Sequence, residues 1–186
     1  EAELLLQAAC ECSNEEQDHF IYDSIGIFMD YMLWDYAESW CMRLKHISPK
    51  YKGLPEIEAE IKMCTGDYDS AIDILNGILD INSYNSQAWN MLAESYFSKG
   101  TFEEAIEACQ FALAINEDDF KAISTLADCY YHTSSFSKAH EYYEKALMMR
   151  QDDALYHMDA VSLFQMGEFE QALVQLKKAR EIIEDD

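Results

Sequence analysis

Cys10 and Cys12, and Cys129 with His132 three residues on, have the spacing of half a metal site. Zinc asks for four ligands, normally supplied by two such pairs. Neither pair has a matching second one, so no metal is expected. Asp67 and Asp69 in "TGDYDS" alternate like the start of a calcium loop, but the glycine and the distal glutamate of such a loop are missing. The histidines, His19, His46, His132, His140 and His157, are scattered, and no glycine-rich phosphate loop follows a strand, because no strand is evident. His132 and His157 read as polar surface residues rather than ligands or general bases. Neither catalysis nor a cofactor is expected. What remains is a recurring pair: Glu60 with Met63, Glu94 with Phe97, Asp128 with Tyr131. Residues three apart on a helix share a face. A carboxylate beside a ring or thioether can hold a basic side chain, charge on the carboxylate and stem over the apolar group.

Those pairs recur because the whole chain does. Aromatic residues stand at Trp34, Tyr68, Phe102, Phe136 and Phe169, at steps of 34, 34, 34 and 33. Three residues after each comes Ala37, Ala71, Ala105, Ala139 or Ala172, and upstream runs Ala59, Ala93, Ala127 and Ala160. Gly66, Gly100, Ser134 and Gly167 precede the aromatic by two. Each unit reads as two helices. In "SQAWNMLAESYFSKG", Trp89, Leu92, Ala93 and Tyr96 mark one apolar face. Gly100 supplies a permissive turn, and Thr101 is read as the N-cap of a second helix whose positive end suits Glu103 and Glu104. Ala105 then faces the first helix, where a methyl allows close approach. The aromatic wedges between neighbouring units. No pair can bury its apolar face alone, so the units must stack. The fold class expected is all-α, a right-handed α-solenoid of helix-turn-helix repeats.

The pattern resembles the tetratricopeptide repeat, carried by Trp89, Leu92, Ala93, Tyr96, Gly100, Phe102, Ala105 and Ala112, and again by Leu126, Ala127, Tyr130, Phe136, Ala139 and Ala146. Read this way, residues 1–17 hold a remnant second helix and 18–51 a degenerate repeat, with repeats over 52–85, 86–119, 120–152 and 153–186, all in one solenoid domain. The degenerate copy keeps Trp34, Ala37 and Pro49 but has Met32-Leu33 in place of a glycine turn. In the next copy Pro55 and Lys62 replace apolar residues. "SPKYKGLP", residues 48–55, holds both prolines and reads as a joint.

The resemblance implies a concave face built from first helices that binds peptides. Three ladders place residues of this chain there: Met29, Met63, Phe97, Tyr131 and Phe164; Gly26, Glu60, Glu94, Asp128 and Val161; Tyr22, Glu56, Asn90, Ser124 and His157. The peptide-binding set is therefore Glu56, Glu60, Met63, Asn90, Glu94, Phe97, Ser124, Asp128, Tyr131, His157 and Phe164. Some members clamp acidic chaperone tails with Lys, Arg and Asn. Here those positions offer Asn90, Lys121 and otherwise Glu, Asp and Ser, which does not fit such a clamp. The resemblance implies a non-enzymatic adaptor for a partner with basic and apolar side chains. The alternatives are a structural segment of a larger protein and a cytosolic chaperone like the small acidic ones of type III secretion.

Composition narrows the partner. Thirteen basic against 36 acidic residues give a net charge of −23, which repels nucleic acid and anionic membranes and either favours basic partners or serves only as a solvated acidic surface that keeps the protein soluble. No run approaches the ~18 apolar residues of a membrane span. No basic segment precedes an apolar run at the start, so no signal peptide is expected, and an opening at Glu1 reads as an excised or processed piece. The six cysteines follow helices rather than a disulfide framework, which predicts reduced thiols and a cytoplasmic setting. In the last helix Ala172, Leu176 and Ala179 are expected on its own first helix. Leu173, Ile182 and Ile183 are left as an apolar edge inviting weak self-association.

Overall fold

The computed structural model describes residues 14–185, all ten of whose regular elements are helices. Cys10, Cys12 and most of the expected remnant helix lie outside these residues. The helices fall into two compact units, residues up to Ile81 and residues from Asn82. The first unit holds α1 (Asn14–Asp30), α2 (Trp34–Ile47), α3 (Leu54–Cys64) and α4 (Tyr68–Ile81). The second holds α5 (Ser86–Lys99), α6 (Phe102–Ile115), α7 (Phe120–His132), α8 (Phe136–Met149), α9 (Asp153–Gln165) and α10 (Phe169–Asp185). Within each unit every helix packs on the next, and α5 also reaches α7. The architecture is an all-α solenoid of helix pairs. No helix among the described residues is long and apolar enough to cross a membrane.

Both alanine ladders are buried: Ala37, Ala71, Ala105 and Ala139 have no exposed surface, and Ala59, Ala93, Ala127 and Ala160 have at most 2%. Between them Leu75, Cys109, Leu126 and Tyr143 fill the interior. A side chain longer than a methyl at these positions would hold the helix axes apart.

The turn inside each pair is the same in all five copies. In the third copy Gly100 N–H donates to the Phe97 carbonyl (2.9 Å) and Thr101 N–H to that of Tyr96 (3.0 Å), closing the helix end on a left-handed residue. Ser134 and Ser135 repeat this on Tyr131 and Tyr130. The degenerate copy does so as well, with Met32 at φ 55° donating to Met29 and Leu33 to Phe28. The missing glycine therefore changes the residue and not the turn; packing imposes a backbone that methionine adopts only at a cost of about 1–2 kcal/mol. Thr101 does not cap by its side chain as expected; its hydroxyl donates to the Tyr96 carbonyl at 3.3 Å, behind it. Side chains cap the first helices of the second unit, through Asn85, Asp119 and Asp152, and α4 of the first unit, where the Asp67 carboxylate accepts from the Ser70 N–H at 3.4 Å. Pro55 enters α3 in its first turn, where a missing N–H costs nothing.

The last helix departs from its expected register. Ala172 and Ala179 are buried, but Leu176 is 43% exposed and Gln175 is buried in its stead. The reason is polar: the Gln175 amide donates to the Asp159 carboxylate of α9 at 2.7 Å.

Candidate peptide-binding face

In the second unit the first helices α5, α7 and α9 carry the candidate positions. Asn85, Asp119 and Asp152 fix where each begins, and so which residues share a face. Glu94 on α5 is half-exposed and pairs with the Lys121 ammonium of α7 at 2.9 Å. One turn on, Phe97 is half-buried, its ring 5.6 Å from Phe102 and 5.4 Å from His132, edge-on to both. Phe102 stacks flat on His132 of the following repeat at 4.6 Å. Tyr131 lies 5.7 Å from Phe136, and Phe164 lies 5.2 Å from Phe169. Each aromatic of this ladder thus rests on the aromatic that opens its partner helix and keeps part of its ring outward. His157 is exposed.

The remaining positions of the second unit are engaged internally. Asn90 is buried and donates to the Asp119 carboxylate at 2.8 Å, while its own amide oxygen has no protein partner. The Ser124 hydroxyl turns back to the Phe120 carbonyl of its own helix at 3.0 Å. Asp128 is half-buried and accepts from the Tyr143 hydroxyl at 2.5 Å. Burial raises its pKa, although the Tyr143 hydrogen bond pulls the other way. Tyr143 is itself pushed up by burial and then by the Asp128 charge.

In the first unit Glu56 is half-buried, Glu60 exposed and Met63 half-buried. Glu56 and Glu60 of α3 both act on Tyr22 of α1, whose pKa is raised first by burial and then by their charges. Tyr22 also meets the stretch expected as a joint. A β-carbon added at Gly53, where φ is +86°, would lie 2.9 Å from the Tyr22 hydroxyl oxygen, and the Tyr51 ring lies 5.1 Å from that of Tyr22, tilted by 36°.

One polar cluster escaped the reading of the sequence. Asp159 on α9 has no exposed surface, and its carboxylate takes His140 Nδ1 of α8 at 2.6 Å and the Gln175 amide of α10 at 2.7 Å. Glu144 stands 3.8 Å from the other ring nitrogen. A signal for it existed: Asp159 occupies the position of Leu92 and Leu126, and His140 that of Ile72 and Ile106.

As a surface, α5, α7 and α9 offer rings with exposed edges and carboxylates partly answered by a lysine. This can take up apolar and cationic groups in register. Among the described residues no cluster of three or more His, Cys, Asp or Glu could hold a metal ion.

Comparison with known proteins agrees with the repeat. The tetratricopeptide repeat family model matches residues 65–109 and 96–158, together just over half of the chain. Among solved structures, MamA is 22% identical with a TM-score of 0.76, covering 85% of this chain and 93% of that one. A MamA RS-1 double mutant reaches a TM-score of 0.81 at 12% identity, covering 90% and 95%. TTC0263, a thermophilic repeat protein of the same kind in Thermus thermophilus, scores 0.71 at 17% identity, covering 88% and 90%. At these identities the likeness is one of fold. Comparison with curated proteins returned no match.

Proposed function

Because the chain belongs to the tetratricopeptide repeat family, we propose that it is a non-enzymatic interaction module that receives a protein segment on its first helices. The segment carries basic and apolar side chains. The observation that supports this most is the row of Phe97, Tyr131 and Phe164, rings seated on their partner helices yet open on one side, with Glu94 within a turn of Phe97. A preformed surface of this kind spends little ordering entropy on binding, and its carboxylates set register and encounter rate. Glu56, Glu60 and Met63 offer the same chemistry on α3 of the first unit.

The test is affinity capture from a matched lysate with wild type, Glu94→Lys, Tyr131→Ala and Lys121→Ala. Glu94→Lys and Tyr131→Ala should each lower retention of the same partner. Lys121→Ala frees the Glu94 carboxylate and should raise it. Binding should weaken as salt rises, since exposed charges are screened over about 8 Å at physiological ionic strength. A partner retained equally by all four proteins would leave the scaffold reading in place instead.

We also infer a reducing, cytoplasmic setting. Cys41, Cys109 and Cys129 are buried thiols, and burial pushes Cys41 up to about 11 and Cys129 to about 12. The denatured, unreduced protein should titrate close to its six cysteines, and the native protein should react slowly at these three. Two or fewer reactive thiols after denaturation would overturn the setting.

Self-association through α10 completes the proposal. Leu173 is 54% and Ile183 62% exposed, and Val174 and Leu176 add to the same helix. Sedimentation should show association growing from low to high salt, as repulsion between acidic copies is screened, and vanishing in Leu173→Glu/Ile183→Glu. A strictly monomeric wild type at high salt would remove this part.

A further inference from the structure

The second helices of the second unit carry a slot that the chain fills with its own aromatic side chains at two repeat junctions and leaves open at a third. At the first junction Trp89 of α5 stacks on Phe111 of α6, 4.5 Å apart and 19° from parallel, and its indole N–H donates to the Ser83 carbonyl at 2.9 Å. At the last junction Tyr156 of α9 is buried with the Lys178 ammonium of α10 over its ring at 5.4 Å. Between them stand Ile123 on α7 and Lys145 on α8, at the same repeat positions. Isoleucine is too short to reach over its neighbour, and a cleft of about 410 Å³ opens there. Its walls include the thioethers of Met148 and Met149, 84% and 44% exposed. Its rim carries the exposed carboxylates of Glu117 and Asp118. The basic residue that lines it, Lys145, is held by Glu141 at 2.9 Å and lies 4.4 Å over Tyr142.

We propose that this cleft is a second docking site, for an aromatic side chain of a partner protein with a basic residue beside it. The chain itself shows what shape fits: an indole or a phenol occupies the equivalent space one repeat before and one repeat after. Methionine walls adapt to such a ring and make favourable sulfur–aromatic contacts. On the rim, Glu117 and Asp118 complement a cation next to the ring. The site lies on the second helices and the loop after α6, apart from the first-helix face proposed above, so one partner segment can be held at each.

The probe is the acetylated, amidated pentapeptide Gly-Trp-Lys-Lys-Gly, titrated into the whole chain labelled at its methionine methyl groups. Met148 and Met149, assigned through Met148→Leu and Met149→Leu, should shift and saturate. Replacing the tryptophan of the peptide by alanine should weaken binding at least about tenfold, the scale of a lost aromatic anchor. Ile123→Trp fills the slot from within, as Trp89 does, and should abolish the shifts while leaving a cooperative melt. The exposed pair Glu117→Lys/Asp118→Lys should also weaken binding and flatten its salt dependence; that variant decides the matter if Ile123→Trp does not fold. No saturable shift at the two methyls overturns the proposal. So do equal binding of the alanine peptide, survival of the shifts in folded Ile123→Trp, unchanged affinity in the lysine pair, and shifts confined to the first-helix face.

Discussion

Ala105→Leu is expected to cost about 1–3 kcal/mol, the penalty of forcing three carbons into a filled interior. At roughly 2–4 °C per kcal/mol for a chain of this length, the melting temperature drops by several degrees. Ala105 has no exposed surface, and alanine holds the same position in all five copies. The added side chain meets α5, whose axis the methyl allows to come close. Its neighbour Glu104 points outward, so Glu104→Leu should leave the melt nearly unchanged. An unaltered melting temperature for Ala105→Leu would contradict the pairing of α5 with α6 described above.

The other large effect centres on Asp159. Asp159→Ala strands the His140 ring nitrogen and the buried Gln175 amide, and leaving a buried donor without its acceptor costs about 1–3 kcal/mol for each group. The double change Asp159→Leu/His140→Ile copies what the preceding junction has in Leu126 and Ile106. It removes the charge and its partner together and should bring stability back to within about 1–2 kcal/mol of wild type, because well-packed apolar replacements of buried pairs are often neutral or better. Denaturant unfolding of the three proteins reads this directly; equal stability of wild type and Asp159→Ala would mean the cluster contributes nothing.

The same residue has a pH signature. Burial raises the Asp159 carboxyl above its ordinary range, against the His140 and Gln175 hydrogen bonds that lower it. A carboxyl with a raised pKa binds its proton more tightly in the fold than in the unfolded chain. The resulting stabilisation is present below the unfolded value of about 3.9 and is lost as pH rises through the raised one. The stability of wild type relative to Asp159→Asn should therefore fall as pH climbs from about 4. Glu144 on α8 strengthens the trend by adding negative charge beside the pair.

What was legible in the sequence was whatever the repeat states more than once. Two alanine ladders and one aromatic ladder announce the helix pairs, and the buried alanines confirm the spacing. Residues that occur in one copy only were harder to place. Met32 adopts the left-handed turn without a glycine, because the helices on either side impose the bend and the side chain stays in water. Gln175 displaces Leu176 from the interior because an amide can answer a buried carboxylate and a leucine cannot. Asp159 and His140 are visible in hindsight as departures from Leu and Ile. Their meaning required knowing that two positions 19 residues apart meet. Among the candidate residues, repeat position puts Phe97, Tyr131 and Phe164 at one equivalent place on the first helices, with Glu94 three residues before Phe97. It could not show that Asn90 is spent on Asp119, the residue whose side chain caps the helix that opens the next repeat.

Recognition by the first helices of the second unit is open to a direct check by site-specific photocrosslinking. A benzoylphenylalanine is placed at Tyr131, at Phe164 or, as a control, at the exposed Glu103 of α6, and each protein is irradiated in matched lysate. One adduct of the same mass is expected from the positions at Tyr131 and Phe164, and none from the position at Glu103. An adduct at Glu103 with none at the other two would contradict a first-helix recognition face.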